Sequence, residues 1–172
     1  MTTTHYSDAQ GNYVGGFADG AQPPEGAIER PAPPRADAVW GGSGWAVPQP
    51  TLEERRGAVN AERDRRMTAT FAFAGKRYDC DARSLQRIMG AAALARFAVV
   101  AGAEAEDLRW HGGAADFTWI AADNSMTTMD AQTCAAFGAA AAANESAHIF
   151  AAHAIKAMDP IPADFTNDKY WP

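Results

Sequence analysis

The chain has 172 residues and a net charge of −6, and 40 of its 81 hydrophobic residues are alanine. Leu, Ile, Val and Phe together number 24, few for a packed core, yet the charge is too small to keep the chain disordered. There is no apolar run of ~18 residues for a membrane helix, no basic-then-apolar start for a signal peptide, no Cys ladder or CxxC for a disulfide framework or zinc site, and no basic excess for nucleic acid.

Alanine is the best helix former, so the expected fold class is α+β, helix-rich, with two parts. Residues 1–50 hold 7 prolines and 8 glycines, against 3 and 7 in the other 122 residues. Such a stretch breaks any long helix and reads as an extended docking arm with short strands. A hairpin is expected in residues 6–15, turning at Asp8 to Gly11. Polyproline-like chain follows from Pro23 to Pro34, then a turn between the indoles of Trp40 and Trp45. The arm is too short to bury Tyr6, Tyr13, Phe17, Trp40 and Trp45 itself, so these five are the candidate docking residues. The alternative is that they fold back onto their own C-terminal domain.

Residues 51–172 read as a small helix–hairpin–helix–hairpin–helix domain. Thr51 and Glu54 have capping-box spacing and open a helix to about Met67, whose mixed Glu and Arg runs read as a solvated face laced by ion pairs, the alternative being a phosphate- or partner-binding stripe. Phe71, Phe73, Tyr78 and Cys80 alternate around a Gly75-Lys76 turn and share one face of a hairpin. A helix capped by Asp81 or Ser84 runs to about Ala101 and stops at Gly102. Its core stripe is Leu85, Ile88, Met89, Ala92, Ala95 and Val99. Leu94 and Phe97 fall on the opposite side and are the candidate self-association residues. Leu108-Arg109-Trp110 is expected to pair with Phe117 to Ile120 as a second hairpin. Thr127 and Asp130 signal the start of a last helix, 129–158, with Met129, Phe137, Ala141, His148, Ile155 and Met158 on its inner face.

No residue is assigned a catalytic, cofactor-binding or metal-binding role. Glu145 and His148 have the spacing found in di-iron bundles, but those sites need a second such pair and two further glutamates. His148 and His153 are about 140° apart on a helix and cannot share one metal. Cys134 and His148 lie nearly four turns apart. Cys80 with a distant histidine stays open, although a small buried thiol is the commoner outcome. No phosphate loop, nucleophile elbow or H-E-x-x-H is present, so the expectation is a protein that is not an enzyme.

Two sets of residues carry a family resemblance. Tyr6, the run Asp8 to Gly15, Pro23-Pro24-Glu25-Gly26-Ala27, Pro33-Pro34 and Trp40 with Trp45 resemble the N-terminal part of small proteins encoded beside tail fibres in tailed phages. Arg63-Asp64, the run Phe71 to Asp79, Ser84, Arg87-Ile88, the run Trp119 to Asn124, His148 and Ala154-Ile155-Lys156 resemble a domain of unknown function found in such tail-region proteins. The resemblance implies a structural component of a phage or prophage-derived tail, at the tail tip, baseplate or fibre attachment region. It would be made in the host cytoplasm and retained in the virion, with other tail and tail-fibre proteins as partners. The alternative is a fibre-assembly chaperone absent from the particle; a third and weaker reading is a hydrolase acting on host surface polymer. No cofactor, nucleic acid or membrane insertion is implied. A homo-oligomer is expected because two helices carry large apolar side chains on more than one face; that it is a trimer rests on the resemblance alone.

Overall fold

In the computed structural model, which describes residues 2–172, the proline- and glycine-rich N-terminus folds on itself. The chain divides into two units between Thr51 and Leu52. In the first, β1 (Thr3–Ser7) lies between β2 (Tyr13–Ala18) and β3 (Ile28–Arg30) in an antiparallel sheet. A short ladder joins β4 (Val39–Trp40) to β5 (Trp45–Ala46). The short strands expected in this segment thus pair into a small sheet and a two-residue ladder. Pro24 and Pro31 flank β3 without interrupting it, which leaves its backbone free to pair.

The β1–β2 turn is where the sequence placed it. The carboxylate of Asp8 accepts from the backbone of Gln10 at 2.9 Å and of Asn12 at 2.8 Å, and from the Asn12 amide side chain at 2.9 Å. Gly11 closes the turn at φ +87° with the Trp40 carbonyl where a Cβ would stand, so a glycine is required.

The second unit has α1 (Leu52–Met67), the hairpin β6 (Thr70–Phe73) with β7 (Lys76–Asp79), and α2 (Ala82–Val100). The hairpin β8 (Thr118–Ile120) with β9 (Met126–Thr128) follows, then α3 (Ala131–Lys156) and a 3₁₀ turn at Asp168–Tyr170. With the first unit, this is an α+β chain. Asp81 caps α2, accepting from the backbone of Arg83 and Ser84, and Gly102 ends it at φ +97°.

The second hairpin differs from expectation. Residues 108–110 form turns, and the partner of β8 is β9. Trp110 is drawn inward instead, its indole donating to the Met129 carbonyl at 3.0 Å. Asp123 binds the backbone and hydroxyl of Ser125 and so closes the β8–β9 turn. Thr127 is thus a strand residue, its hydroxyl 3.2 Å from Tyr78 Oη, while Asp130 alone caps α3. The helix opens at Ala131 and closes at Lys156, so Met129 and Met158 lie outside it.

The scarce large side chains are concentrated around one ring. Phe137 lies 4.7 Å from Tyr78, 5.3 Å from Phe71, 5.3 Å from Phe73 and 5.4 Å from Trp119, centroid to centroid. Beside it α2 and α3 approach so closely that a Cβ on Gly138 would collide with the Cβ of Ala92. That closeness narrows the buried stripe of α2 to Ile88, Ala92 and Ala95. Met89 and Val99, expected in the core, are exposed.

A second cluster holds Val59, Ala152, Ile155, Ile161 and Trp171. Here the mixed charges of α1 are more than a solvated face. Glu62 accepts from Arg65 and Arg66, and Arg66 reaches the Thr166 carbonyl at 2.7 Å and Asp168 at 2.8 Å. The hydrogen bond from Arg65, joined by Arg66, lowers the Glu62 carboxyl from 4.5 to about 2. A depressed carboxyl stabilises the fold fully above its ordinary value and loses that contribution as pH falls through the lowered one. Glu62→Gln should therefore cost about 2 kcal/mol at pH 7, a figure discounted for the exposure of Arg65. It should also flatten the pH dependence of stability between 4.5 and about 2, read by urea unfolding of both proteins. Parallel acid profiles would contradict it.

Candidate functional site

All five aromatic residues of the first unit are half-buried within it, so the segment covers more of them than its length implied. They also do not form one surface. Phe17 pairs with Thr4 and Gly15 with Tyr6, which places Tyr6 and Phe17 on one side of the sheet, edge to face at 5.7 Å. His5 lies on the other side, with Nδ1 2.7 Å from Tyr13 Oη. Tyr13 meets Trp45 at 5.9 Å, and Trp45 meets Trp40 at 5.4 Å. The Arg30 guanidinium stands 4.7 Å over the Trp40 ring, and the Trp45 indole donates to the Pro31 carbonyl at 2.8 Å. These T-shaped contacts set the edge of one ring on the face of the next and leave each ring only half covered.

On α2, Leu94 is 64 % exposed, Phe97 73 % and Val100 87 %. With Gly90, Ala93 and Ala101 they make a stripe about 120° wide at ~100° per residue, opposite the core face. Arg87 and Arg96 stand at its two edges, and no charge falls within it between Gly90 and Ala101. Phe150, on α3, is also exposed.

The residues weighed for chemistry are dispersed. Cys134 is buried, which pushes its thiol up to about 11, and burial raises Cys80 as well. His148 is 7 % exposed, with Nδ1 2.8 Å from the Asn144 carbonyl and its ring stacked 6.3 Å from Trp171. His153 is exposed on α3. Among the described residues no three His, Cys, Asp or Glu come together to hold a metal. A nucleophilic cysteine needs a lowered pKa and access, and these two thiols have neither. Both should resist a thiol reagent at pH 8 in the native protein and react within minutes in denaturant. Fast reaction of either in the native state would contradict the burial.

One concavity brings together side chains that the sequence pattern did not connect. A cleft of about 480 Å³ is lined by Arg65 and Arg66 of α1, Arg77 of β7, Asn144 and His148 of α3, and Asp168 of the C-terminal turn. The arginines were hidden because Arg65-Arg66 has the spacing of a solvated helix face, and Arg77 follows Lys76 at an ordinary hairpin turn.

An N-terminal β unit followed by a three-helix α+β domain with a narrow, alanine-lined core is the class of protein these elements define. Residues 50–168 match a family described as a domain of unknown function (DUF4376). The chain belongs to that family. No curated protein and no solved structure matches.

Proposed function

We propose that the protein is a structural component of a phage or prophage-derived tail, at the tail tip, baseplate or fibre attachment region, and that it works by docking rather than by chemistry. The observation that carries the docking is the outward stripe of α2. Leu94, Phe97 and Val100 project from a domain that has few large apolar side chains to spare for its own core. Burying each contributes about 1.5–3 kcal/mol, so a partner that covers the stripe gains considerably. A second copy of the chain fits it: small Gly90, Ala93 and Ala101 lie beside the large residues, so two such faces can interdigitate. The half-covered aromatic rings of the first unit supply a separate contact for other tail or tail-fibre proteins. The placement in a tail rests on the sequence resemblance.

Mass spectrometry of purified particles tests the reading. A stoichiometric component of the particle is the expected result. Absence from particles, with the chain recovered on unassembled fibres, would replace it with an assembly chaperone.

A further inference from the structure

We infer that the arginine-lined cleft of the second unit is a binding site for a small ligand bearing one oxyanion group, a carboxylate or a phosphate. Three guanidinium groups converge on it beside a carboxamide and an imidazole, and the pattern of their hydrogen bonds leaves the three Nη1 donors unspent.

Each guanidinium is held from behind. Arg65 is fixed through Nε and Nη2 to Glu62, at 2.7 and 2.6 Å. Arg66 is fixed through Nε to Glu62 at 2.6 Å, and through Nη2 to the Thr166 carbonyl and Asp168. Arg77 is fixed through Nε to Thr70 Oγ1 at 2.6 Å and through Nη2 to the Thr70 carbonyl at 2.8 Å. In all three, Nη1 has no hydrogen-bond partner among the described residues. Long side chains already immobilised lose little further entropy when they bind, which favours recognition by this array.

The wall repeats the pattern. Asn144 Nδ2 is buried without a nitrogen or oxygen partner, and its side chain lies beside the Cys80 thiol. His148 is almost wholly buried, and the Nδ1–H of its ring is spent on the Asn144 carbonyl. A buried donor left unsatisfied is costly, and a bound acceptor would relieve it. The lining holds one carboxylate side chain, Asp168, which is at the solvent edge and paired with Arg66. Glu62 is consumed by Arg65 and Arg66. The cleft volume, about 480 Å³, suits a small molecule or a single charged side chain. A folded partner could not enter it.

Titration of the full chain with inorganic phosphate and, separately, with acetate tests the assignment, in chloride buffer at fixed ionic strength and followed by amide chemical shifts. Saturable shifts in residues 65–72, 77 and 144–148 are expected for at least one of the two. The tighter probe identifies the ligand as phosphoryl or carboxyl. Arg65→Gln and Arg77→Gln should each weaken binding about tenfold, as expected for loss of one charge-assisted hydrogen bond. Asp168→Asn, which removes the one carboxylate side chain of the lining, should strengthen it about threefold. Arg56→Gln, on the same helix but outside the cleft, should change nothing. Arg65 is held only through Glu62, so its variant gives a reading if Arg77→Gln disturbs the hairpin. Shifts that stay linear with both probes, or an equal loss in Arg56→Gln, would overturn the site and show an adventitious ion only.

Discussion

Replacing Gly138 by alanine should destabilise the second unit by about 2 kcal/mol, although the same change in an ordinary helix interior stabilises by about 1 kcal/mol. The added methyl would stand inside the contact distance of Ala92 Cβ, with Ala92 Cα at 3.8 Å and the Ile88 carbonyl at 3.9 Å behind it. Neither methyl has a rotamer by which to move aside. Both are fixed to helix backbones, so α2 and α3 must separate, and the packing around Ile88, Cys134 and Ala141 loosens with them. Adding Ala92→Gly removes the collision at the cost of a glycine in α2, about 1 kcal/mol. The double variant should thus be more stable than Gly138→Ala alone, a coupling that urea unfolding of the four proteins measures. A Gly138→Ala protein as stable as wild type would refute the close crossing.

That crossing also shows what the sequence could and could not reveal. Apolar spacing placed all three helices because each has caps or breakers at its ends: Asp81 and Gly102 for α2, Asp130 and the Pro160 region for α3. The β6–β7 hairpin was legible from the alternation of Phe71, Phe73, Tyr78 and Cys80 around Gly75. The depth of each helix face was not legible. Met89 and Val99 have core spacing, yet a glycine on α3, distant in sequence, decides how wide a strip of α2 is covered.

The third strand of the first sheet was missed for a related reason. Proline density argues against long elements, but β3 needs only three residues between two prolines. The second hairpin was misassigned because Thr127 carries a capping signal that Asp130 alone uses. The cleft was invisible because its lining comes from four elements that only tertiary structure brings together. Leu94 and Phe97, by contrast, were placed correctly on the outer side of α2 by periodicity alone.

Leu94→Asp with Phe97→Asp should abolish self-association while leaving the fold in place. Both side chains are mostly exposed, 64 % and 73 %, so their removal opens no cavity. Aspartate is a poorer helix former than leucine, which limits the expected loss of stability to about 1 kcal/mol. At an interface the same change is severe. It forfeits about 1.5–3 kcal/mol of burial per side chain and asks two carboxylates to leave water, a loss of at least ~100-fold in affinity. Phe150→Asp is the matched control, because that residue is exposed to a similar degree, 71 %, but lies on α3 away from the stripe. Sedimentation velocity at micromolar concentration should show wild type and Phe150→Asp as oligomers, trimers by the resemblance to tail proteins, and the double variant as a monomer. Circular dichroism should show the same helix content in all three. A wild-type monomer that persists to ~100 μM would remove the second copy as the partner of the stripe, since an interface with three large apolar residues at its centre should be populated at that concentration.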